Sequence, residues 1–395
     1  MPKHLDRADS VVVGAGVIGL AVARRLAISG REVIVLEQED LIGTHSSSRS
    51  NEVSHAGLYY RPDGPQAILC VAGHRLLEPY CAEHGIPYKV VGKLVVANGE
   101  DDLEWLKGIY ENAQICGARG LDWLGGNAAR NLEPELRCDA AIHSTLTGIV
   151  DTHALMLAYQ GEAEAHGASI AFQSRLLSAR VANNGFALEI ATKDGTHHLG
   201  CNTLINAAGL WAVPVARAIE GTPQDDIPHV HYAKGAFFSL AVKSPFRHLV
   251  VPSQRWIRMG GIYTLDMAMR ARFGPEEEWI EEVNYDIDTT RSSTAYEAVR
   301  RYWPGLEDGM LQPAYTGIRP RLNGPGEPMA DWIMHGPAEH GVPGLVNLYG
   351  IESPGITSSL PIAEMVTAMA DGLPFGQALG MQRATNQSPF ATRNQ

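Results

Sequence analysis

At 395 residues the chain is long enough for two domains that share an extended core. Its make-up (45% hydrophobic, 41 glycines, few aromatics) is that of an ordinary globular protein. The net charge of −12 argues against nucleic acid or an anionic membrane surface as partner, although local basic residues can still hold a small anionic substrate.

The start, from Met1 to Arg7, is polar and leads into an apolar run, which leaves no room for a signal peptide. Ser10 to Val13 reads as a strand. It feeds a Gly-x-Gly-x-x-Gly turn at Gly14, Gly16 and Gly19, then a helix from Val17 to Ser29 and a second apolar strand, Val33 to Leu36, closed by Glu37. In such a βαβ unit Gly14 makes the tight turn and Gly16 lets the backbone approach a pyrophosphate. Gly19 lets helix and strand pack closely. The helix N-terminus, at Val17 and Ile18, offers N–H groups to phosphates, and Glu37 can accept from ribose hydroxyls. The acid disfavours a 2′-phosphate, which leaves FAD or NAD.

Residues 64–86 carry apolar positions spaced for an amphipathic helix, and Lys89 to Ala97 reads as a strand pair or a bent strand. Asp101 to Ala118 is predicted helical, and Leu132 to Leu136 a loop beside a short element. A further helix runs from Asp151 or Thr152 to His166, followed by strands near 168–173, 186–192 and 197–200. Asn206, Ala207, Ala208, Gly209 and Trp211 follow a buried strand, where small residues let a cofactor lie against the backbone; tight strand–helix packing is the plainer alternative. Residues 231–272 alternate as antiparallel strands, and Thr289 to Tyr302 is helical. Leu345 to Gly350 is a buried strand leading through Glu352, Ser353, Pro354, Gly355 and Ile356 to a helix over Thr357 to Ala370, with Pro361 expected in its first turn. That helix start could face a flavin ring or be a capped helix and nothing more. The tail beyond Gly380 is polar and expected to be loosely held.

Cys70, Cys81, Cys116, Cys138 and Cys201 are odd in number and show no CxxC spacing. This argues against a zinc site or a disulfide framework, so no metal is expected, and it points to a reducing, cytoplasmic location. No apolar run approaches the length of a membrane span.

Taken in order, these motifs resemble the FAD-dependent oxidoreductases of the D-amino-acid oxidase superfamily over nearly the whole chain. The stretches Ser46–Tyr60, Lys234–Phe238, Tyr315–Pro320 and Gly350–Thr357 resemble the L-2-hydroxyglutarate dehydrogenase/oxidase branch. The resemblance implies an α/β (α+β) two-domain flavoenzyme: a Rossmann-type FAD-binding domain with an inserted antiparallel-sheet substrate domain. The FAD domain would be discontinuous, over 1–88, 145–225 and 325–380. The substrate domain would cover 89–144 and 226–324, with 381–395 as tail. To the cofactor the resemblance assigns Gly14, Gly16, Val17, Ile18, Gly19, Glu37, Gln38, Ser46, Ser47, Ser48, Arg49, Ser50 and Leu176. It further assigns Ala207, Ala208, Gly209, Trp211, Gly317, Arg319, Glu352, Ser353, Pro354, Gly355, Ile356 and Thr357.

The implied reaction moves a hydride from C2 of a 2-hydroxy acid to the flavin while a base takes the hydroxyl proton. His55 suits the base, with a covalent flavin link or a structural role as its alternatives. Arg319 is the first choice for the carboxylate, then Arg258 or Lys234. Tyr59, Tyr60 and Tyr263 are candidate pocket residues. The electron acceptor is open among dioxygen, a quinone and an electron-transfer protein.

The chain departs from the branch at Ser50, Asn51 and Ser54, at Val251–Trp256, and at Met259–Thr264, where Tyr263 stands in place of a histidine. These changes fall on the substrate side. They keep open an amine or amino-acid oxidase, and a non-catalytic flavin-binding protein, as alternatives.

Overall fold

A computed structural model describes residues 6–387, and the chain forms two compact units. The first comprises residues up to Ser48, Thr152–His231 and Pro320 onward; the second comprises Arg49–Asp151 and Tyr232–Arg319.

The first unit is built on a nine-stranded sheet. Strand β1 (Asp6–Val13) pairs in parallel with β2 (Val33–Leu36) on one side and with the strand Gly195–Asn206 on the other. Chain order therefore reverses at β1, the switch point where ligands of open α/β sheets bind beyond the carboxyl ends. Ser169–Ala171 extends the parallel array beyond β2, and Leu345–Tyr349 pairs with the end of Gly195–Asn206. Arg175–Ala182, Gly185–Thr192 and the start of Gly195–Asn206 form an antiparallel meander. Helix α1 (Val17–Ile28) packs against the helices Thr152–Ala165 and Gly355–Ala370. The apolar runs of β1 and β2 are buried from two sides: α1 packs against both strands, and Val11, Val13 and Leu36 share a core cluster with Leu176, Phe186 and Leu188 of the meander.

The second unit holds an eight-stranded sheet and a three-stranded one. All the pairings described for the larger sheet are antiparallel except Leu249–Val251 with Lys93–Ala97. Its core gathers Phe238, Phe246, Phe273, Tyr263, Tyr302 and Trp303, a set of edge-on and stacked rings.

Several sequence expectations change. The stretch 49–88, assigned above to the FAD domain, groups with the second unit. Val53–Ser54 and Tyr88–Val90 both pair with Gly148–Val150, and the helix Pro65–Glu83 packs on Glu100–Cys116. Lys89–Ala97 is two strands, Tyr88–Val90 and Lys93–Ala97, which lie in different sheets. Gly92 turns the chain between them at φ +69°. Pro361 lies in the second turn rather than the first, because its helix starts at Gly355, not at Thr357. A helix occupies Phe375–Gln387, so part of the expected loose tail is regular structure; 388–395, like the polar start at 1–5, lies outside the described residues.

Candidate functional site

In the first unit the glycine turn is dictated by contact. Gly14 has φ +101°, and a Cβ there would sit 2.7 Å from the Ala207 carbonyl oxygen. A Cβ on Gly19 would lie 1.9 Å from the Gly14 carbonyl oxygen, which no backbone shift of ordinary size absorbs. The carboxyl ends of β1 and of Gly195–Asn206 are thus pressed together, with Gly14 against Ala207 and Ala208. Gly16 is the N-cap of α1 and supplies no side-chain cap; the Val17 N–H donates to Ser47 Oγ at 3.0 Å. The third motif arrives at the same place: a Cβ on Gly355, the first residue of its helix, would lie 3.9 Å from Cδ1 of Ile18. Two helix N-termini without side-chain caps therefore stand side by side beyond the switch point, an arrangement suited to phosphates. A cradle that any side chain would fill is what a dinucleotide such as FAD requires, and the residues fit it.

Glu37, 8% exposed, uses both oxygens on backbone. Oε2 accepts from the Ala15 N–H at 2.7 Å and Oε1 from the Glu39 N–H at 3.0 Å. A carboxylate has about four lone-pair sites, so ribose hydroxyls can still be accepted. Gln38 Nε2 donates to Glu39 Oε1, which also contacts His45 Nε2; the His45 ring stands edge-on to Trp211. Ser46, Ser47 and Ser48 lie in one turn, where the Ser48 N–H donates to the Gly43 carbonyl. Gly209 and Trp211 form a single 3-10 turn after Asn206, whose Nδ2 donates to Asn347 Oδ1 and to the Ala212 carbonyl. Glu352 pairs with Arg321 at 3.0 Å, both 6% exposed by side chain. Thr357 is buried in the first turn of the helix, with Gly355 and Ile356, after Ser353 and the N-cap Pro354. The Leu176 side chain belongs to the core cluster that holds Val13 and Leu36, which leaves its backbone to meet a cofactor.

The second unit holds Arg49, Ser50, Gly317 and Arg319 together. Arg49 lies over the Tyr285 ring at 3.9 Å and its Nη1 donates to the Thr316 carbonyl. The Tyr315 hydroxyl donates to the Ser50 carbonyl at 2.8 Å. A Cβ on Gly317 would come within 2.3 Å of the Arg49 carbonyl oxygen. The strand Leu311–Arg321 thus pins the Arg49–Ser50 segment directly.

The candidate substrate residues separate sharply. Lys234 is engaged by Glu278 at 2.7 Å, Asn284 Oδ1 at 2.9 Å and the Asp286 carbonyl at 3.1 Å, which uses all three of its protons. It is a structural tie, not a substrate anchor. Tyr263 is also corrected: it is fully buried in the ring cluster and its hydroxyl donates to the Phe246 carbonyl, because its strand turns this face to the core. Arg258 and Arg319 both face Glu277, at 3.9 and 3.6 Å.

His55 follows the strand Val53–Ser54, and its Nδ1 is sealed from solvent. Burial first, then the charges of Lys93, Arg319 and His74, hold its pKa well below the ordinary imidazole value, so the ring is neutral. Tyr59 lies close by in chain, edge-on to Tyr60, and burial raises its phenol pKa.

Sequence reading missed Lys93. It opens the strand Lys93–Ala97, is 1% exposed, and its ammonium lies 4.8 Å from the Tyr59 ring centroid. Neither Lys93 Nζ nor the Tyr59 hydroxyl has a hydrogen-bond partner among the described residues. Burial pushes the Lys93 pKa down to about 8. The signal was present as a lone lysine in the apolar run Val90-Val-Gly-Lys-Leu-Val-Val-Ala97. His74, on the helix Pro65–Glu83, is held down to about 4, chiefly by burial and next by Lys93.

Comparison with known proteins agrees with this geometry. Residues 9–369 match the family described as FAD dependent oxidoreductase. The chain is 40% identical to a protein of Arabidopsis thaliana named L-2-hydroxyglutarate dehydrogenase, mitochondrial, across 91% of this chain and 83% of that one. A protein of the same name from Caenorhabditis elegans is 27% identical over 94% of each chain. Among solved structures, the fold matches the L-alpha-glycerophosphate oxidase of Mycoplasma pneumoniae, determined with FAD bound. The TM-score is 0.84 at 18% identity, covering 93% of this chain and 96% of that one. Glycine oxidase from Geobacillus kaustophilus matches with a TM-score of 0.78 at 20% identity, over 93% and 95% of the two chains.

Proposed function

The chain belongs to the FAD dependent oxidoreductase family, and from that premise we propose that it oxidises L-2-hydroxyglutarate, or a close 2-hydroxy dicarboxylate, to the 2-oxo acid. It is an enzyme whose cofactor is FAD. The observation that carries the substrate class is electrostatic. The cations acting on His55 are Lys93 and Arg319, beside the His74 ring, and among the described residues no carboxylate is named with them. A buried lysine and a partly buried arginine acting on a neutral imidazole favour a carboxylate-bearing substrate with a proton to lose.

When bound, FAD supplies the two-electron acceptor for the hydrogen on C2. The protein's own part is proton removal and positioning. A nitrogen of the His55 imidazole takes the proton from the C2 hydroxyl as the C2–H and O–H bonds break and the carbonyl forms. Its depressed pKa keeps it unprotonated at neutral pH, so it accepts without first losing a proton. Tyr59 contributes an apolar wall with a buried hydroxyl.

Amine oxidation gains nothing from the structure. Of the departures that keep it open, Trp256 and Tyr263 are both buried, Tyr263 within the core cluster, and the loss of the histidine in whose place Tyr263 stands is its remaining support. The five cysteines are free thiols, in keeping with a reducing location such as the cytoplasm, whereas the curated relatives named above are mitochondrial. The test is anaerobic mixing of the purified yellow protein with L-2-hydroxyglutarate, its D-enantiomer, L-lactate, glycine and sarcosine. Bleaching of the flavin by L-2-hydroxyglutarate at the lowest concentration supports the assignment; preferential bleaching by an amine overturns it. Readmission of air or of a quinone then identifies the acceptor class.

A further inference from the structure

We propose that Lys93 is the residue that binds the carboxylate carried on the reacting carbon, the anchor that sequence reading gave to Arg319. This rests on the site around His55 being the reaction site, but not on which substrate is oxidised, since 2-hydroxy acids and amino acids alike carry that carboxylate.

The argument is one of missing counter-charge. Lys93 is 1% exposed and its ammonium has no hydrogen-bond partner among the described residues. A buried ammonium costs several kcal/mol unless an anion or a set of acceptors meets it. Its surroundings are the Tyr59 ring, which attracts a cation weakly through its face, and the groups coupled to it: Cys70, His55 and His74. Cys70 cannot serve, because burial raises its thiol pKa and its S–H donates to the His55 carbonyl. Among the described residues, no Asp or Glu is among the groups that shift Lys93. By contrast Arg319 and Arg258 already face Glu277, and Lys234 has its three partners. Among these candidate anchors, Lys93 is the buried cation with neither a carboxylate nor a hydrogen-bond partner among the described residues.

Its charge also acts on His55, and Cys70, which acts on Lys93, donates to the His55 carbonyl, so the two side chains belong to one neighbourhood. A carboxylate seated on Lys93 places the adjacent C2 hydroxyl toward the imidazole. The same carboxylate neutralises a charge that depresses the His55 pKa, so the base strengthens when substrate is in place. Free Lys93 loses its proton near pH 8, so carboxylate affinity should weaken above that value.

The experiment uses the FAD-loaded holoenzyme, with Lys93→Met and Lys93→Arg, and two ligand pairs: the acid the enzyme oxidises and its C1 carboxamide, and a dicarboxylic against a monocarboxylic 2-hydroxy acid. Binding is read from perturbation of the flavin absorbance and from KM. In wild type the amide is expected to bind about a hundredfold more weakly than the acid, as when one partner of a buried charge pair is removed. Lys93→Met should bind acid and amide alike, at the weak level, with the same penalty for mono- and dicarboxylates. Lys93→Arg should restore part of the affinity and remove its decline above pH 8. The thermal midpoint of Lys93→Met should equal or exceed that of wild type, since an unpaired buried charge has been removed.

Acid and amide still discriminated by Lys93→Met as in wild type, or a penalty confined to dicarboxylates, would overturn the proposal. If Lys93→Met does not fold, the wild-type and Lys93→Arg pH dependences decide, and an unchanged decline in Lys93→Arg is negative. If L-2-hydroxyglutarate fails to bleach the flavin but an amino acid does, the proposed function falls and the Lys93 comparison proceeds with that amino acid.

Discussion

At the residue scale, the site separates side chains that look alike in sequence. Lys93 and Lys234 are both lysines on strands, yet one has every proton bonded and the other none among the described residues. The expected consequences differ. Lys234→Met leaves Glu278 and Asn284 short of a partner and should cost about 2–5 kcal/mol of stability, read as a lower thermal midpoint, with KM within about threefold of wild type. A large KM change at unchanged stability would return Lys234 to the substrate. His55→Gln keeps a hydrogen-bonding amide but removes the base. It should lower the rate of flavin reduction by about 10²–10⁴ while the protein stays yellow. A colourless His55→Gln protein would point instead to a role in holding FAD. His55 could be picked from sequence because its flanking residues form a distinctive string. Lys93 could not, because what marks it is the absence of partners, a property of packing and not of order along the chain.

At the element scale, the glycine turn was legible because each glycine answers to a separate steric demand, and those demands are graded. Gly19→Ala sets a methyl 1.9 Å from a backbone oxygen, whereas Gly16→Ala meets only the Ser47 hydroxyl at 3.1 Å, which can rotate away. Gly19→Ala should therefore fail to fold or to retain flavin, and Gly16→Ala should fold and bind FAD more weakly. The ratio of flavin to protein absorbance after gel filtration measures both, and equal retention would contradict the packing account. Gly317 makes the same point in the second unit. An alanine there collides with the Arg49 carbonyl and should displace the Arg49–Ser50 segment, lowering flavin retention with little change in far-ultraviolet dichroism. What sequence pattern misplaced were starts and partners. The helix at Gly355 begins two residues before its periodicity does, because Gly355 and Ile356 supply its first positions without a polar cap. Tyr263 read as a pocket residue because alternation in a strand tells which residues share a face, not which face meets the core.

At the scale of the whole molecule, the order of motifs carried the architecture, since a sheet assembled from 6–13, 33–36, 195–206 and 345–349 leaves its trace as apolar strands at long intervals. The edges of the units were less legible: the assignment of 49–88 turns on which strand Val53–Ser54 pairs with, and a two-residue strand carries no periodicity. The second unit's packing has a further global consequence. It holds His74 and His55 as partly buried, neutral rings, with the His74 pKa near 4 and that of His55 also depressed. In the unfolded chain both imidazoles protonate near pH 6.5. Below that pH the unfolded state binds more protons than the folded one, so stability is lost as pH falls from about 6.5 toward 4. For His74 alone the loss between pH 6.5 and 5 is about 1–2 kcal/mol. Thermal midpoints of the holoenzyme from pH 7 to pH 5 should therefore fall, and should fall less steeply in His74→Asn, whose amide can still meet Ser54 Oγ but does not titrate. Parallel curves for wild type and variant would place the acid sensitivity elsewhere, in the carboxylates whose ion pairs protonation would break.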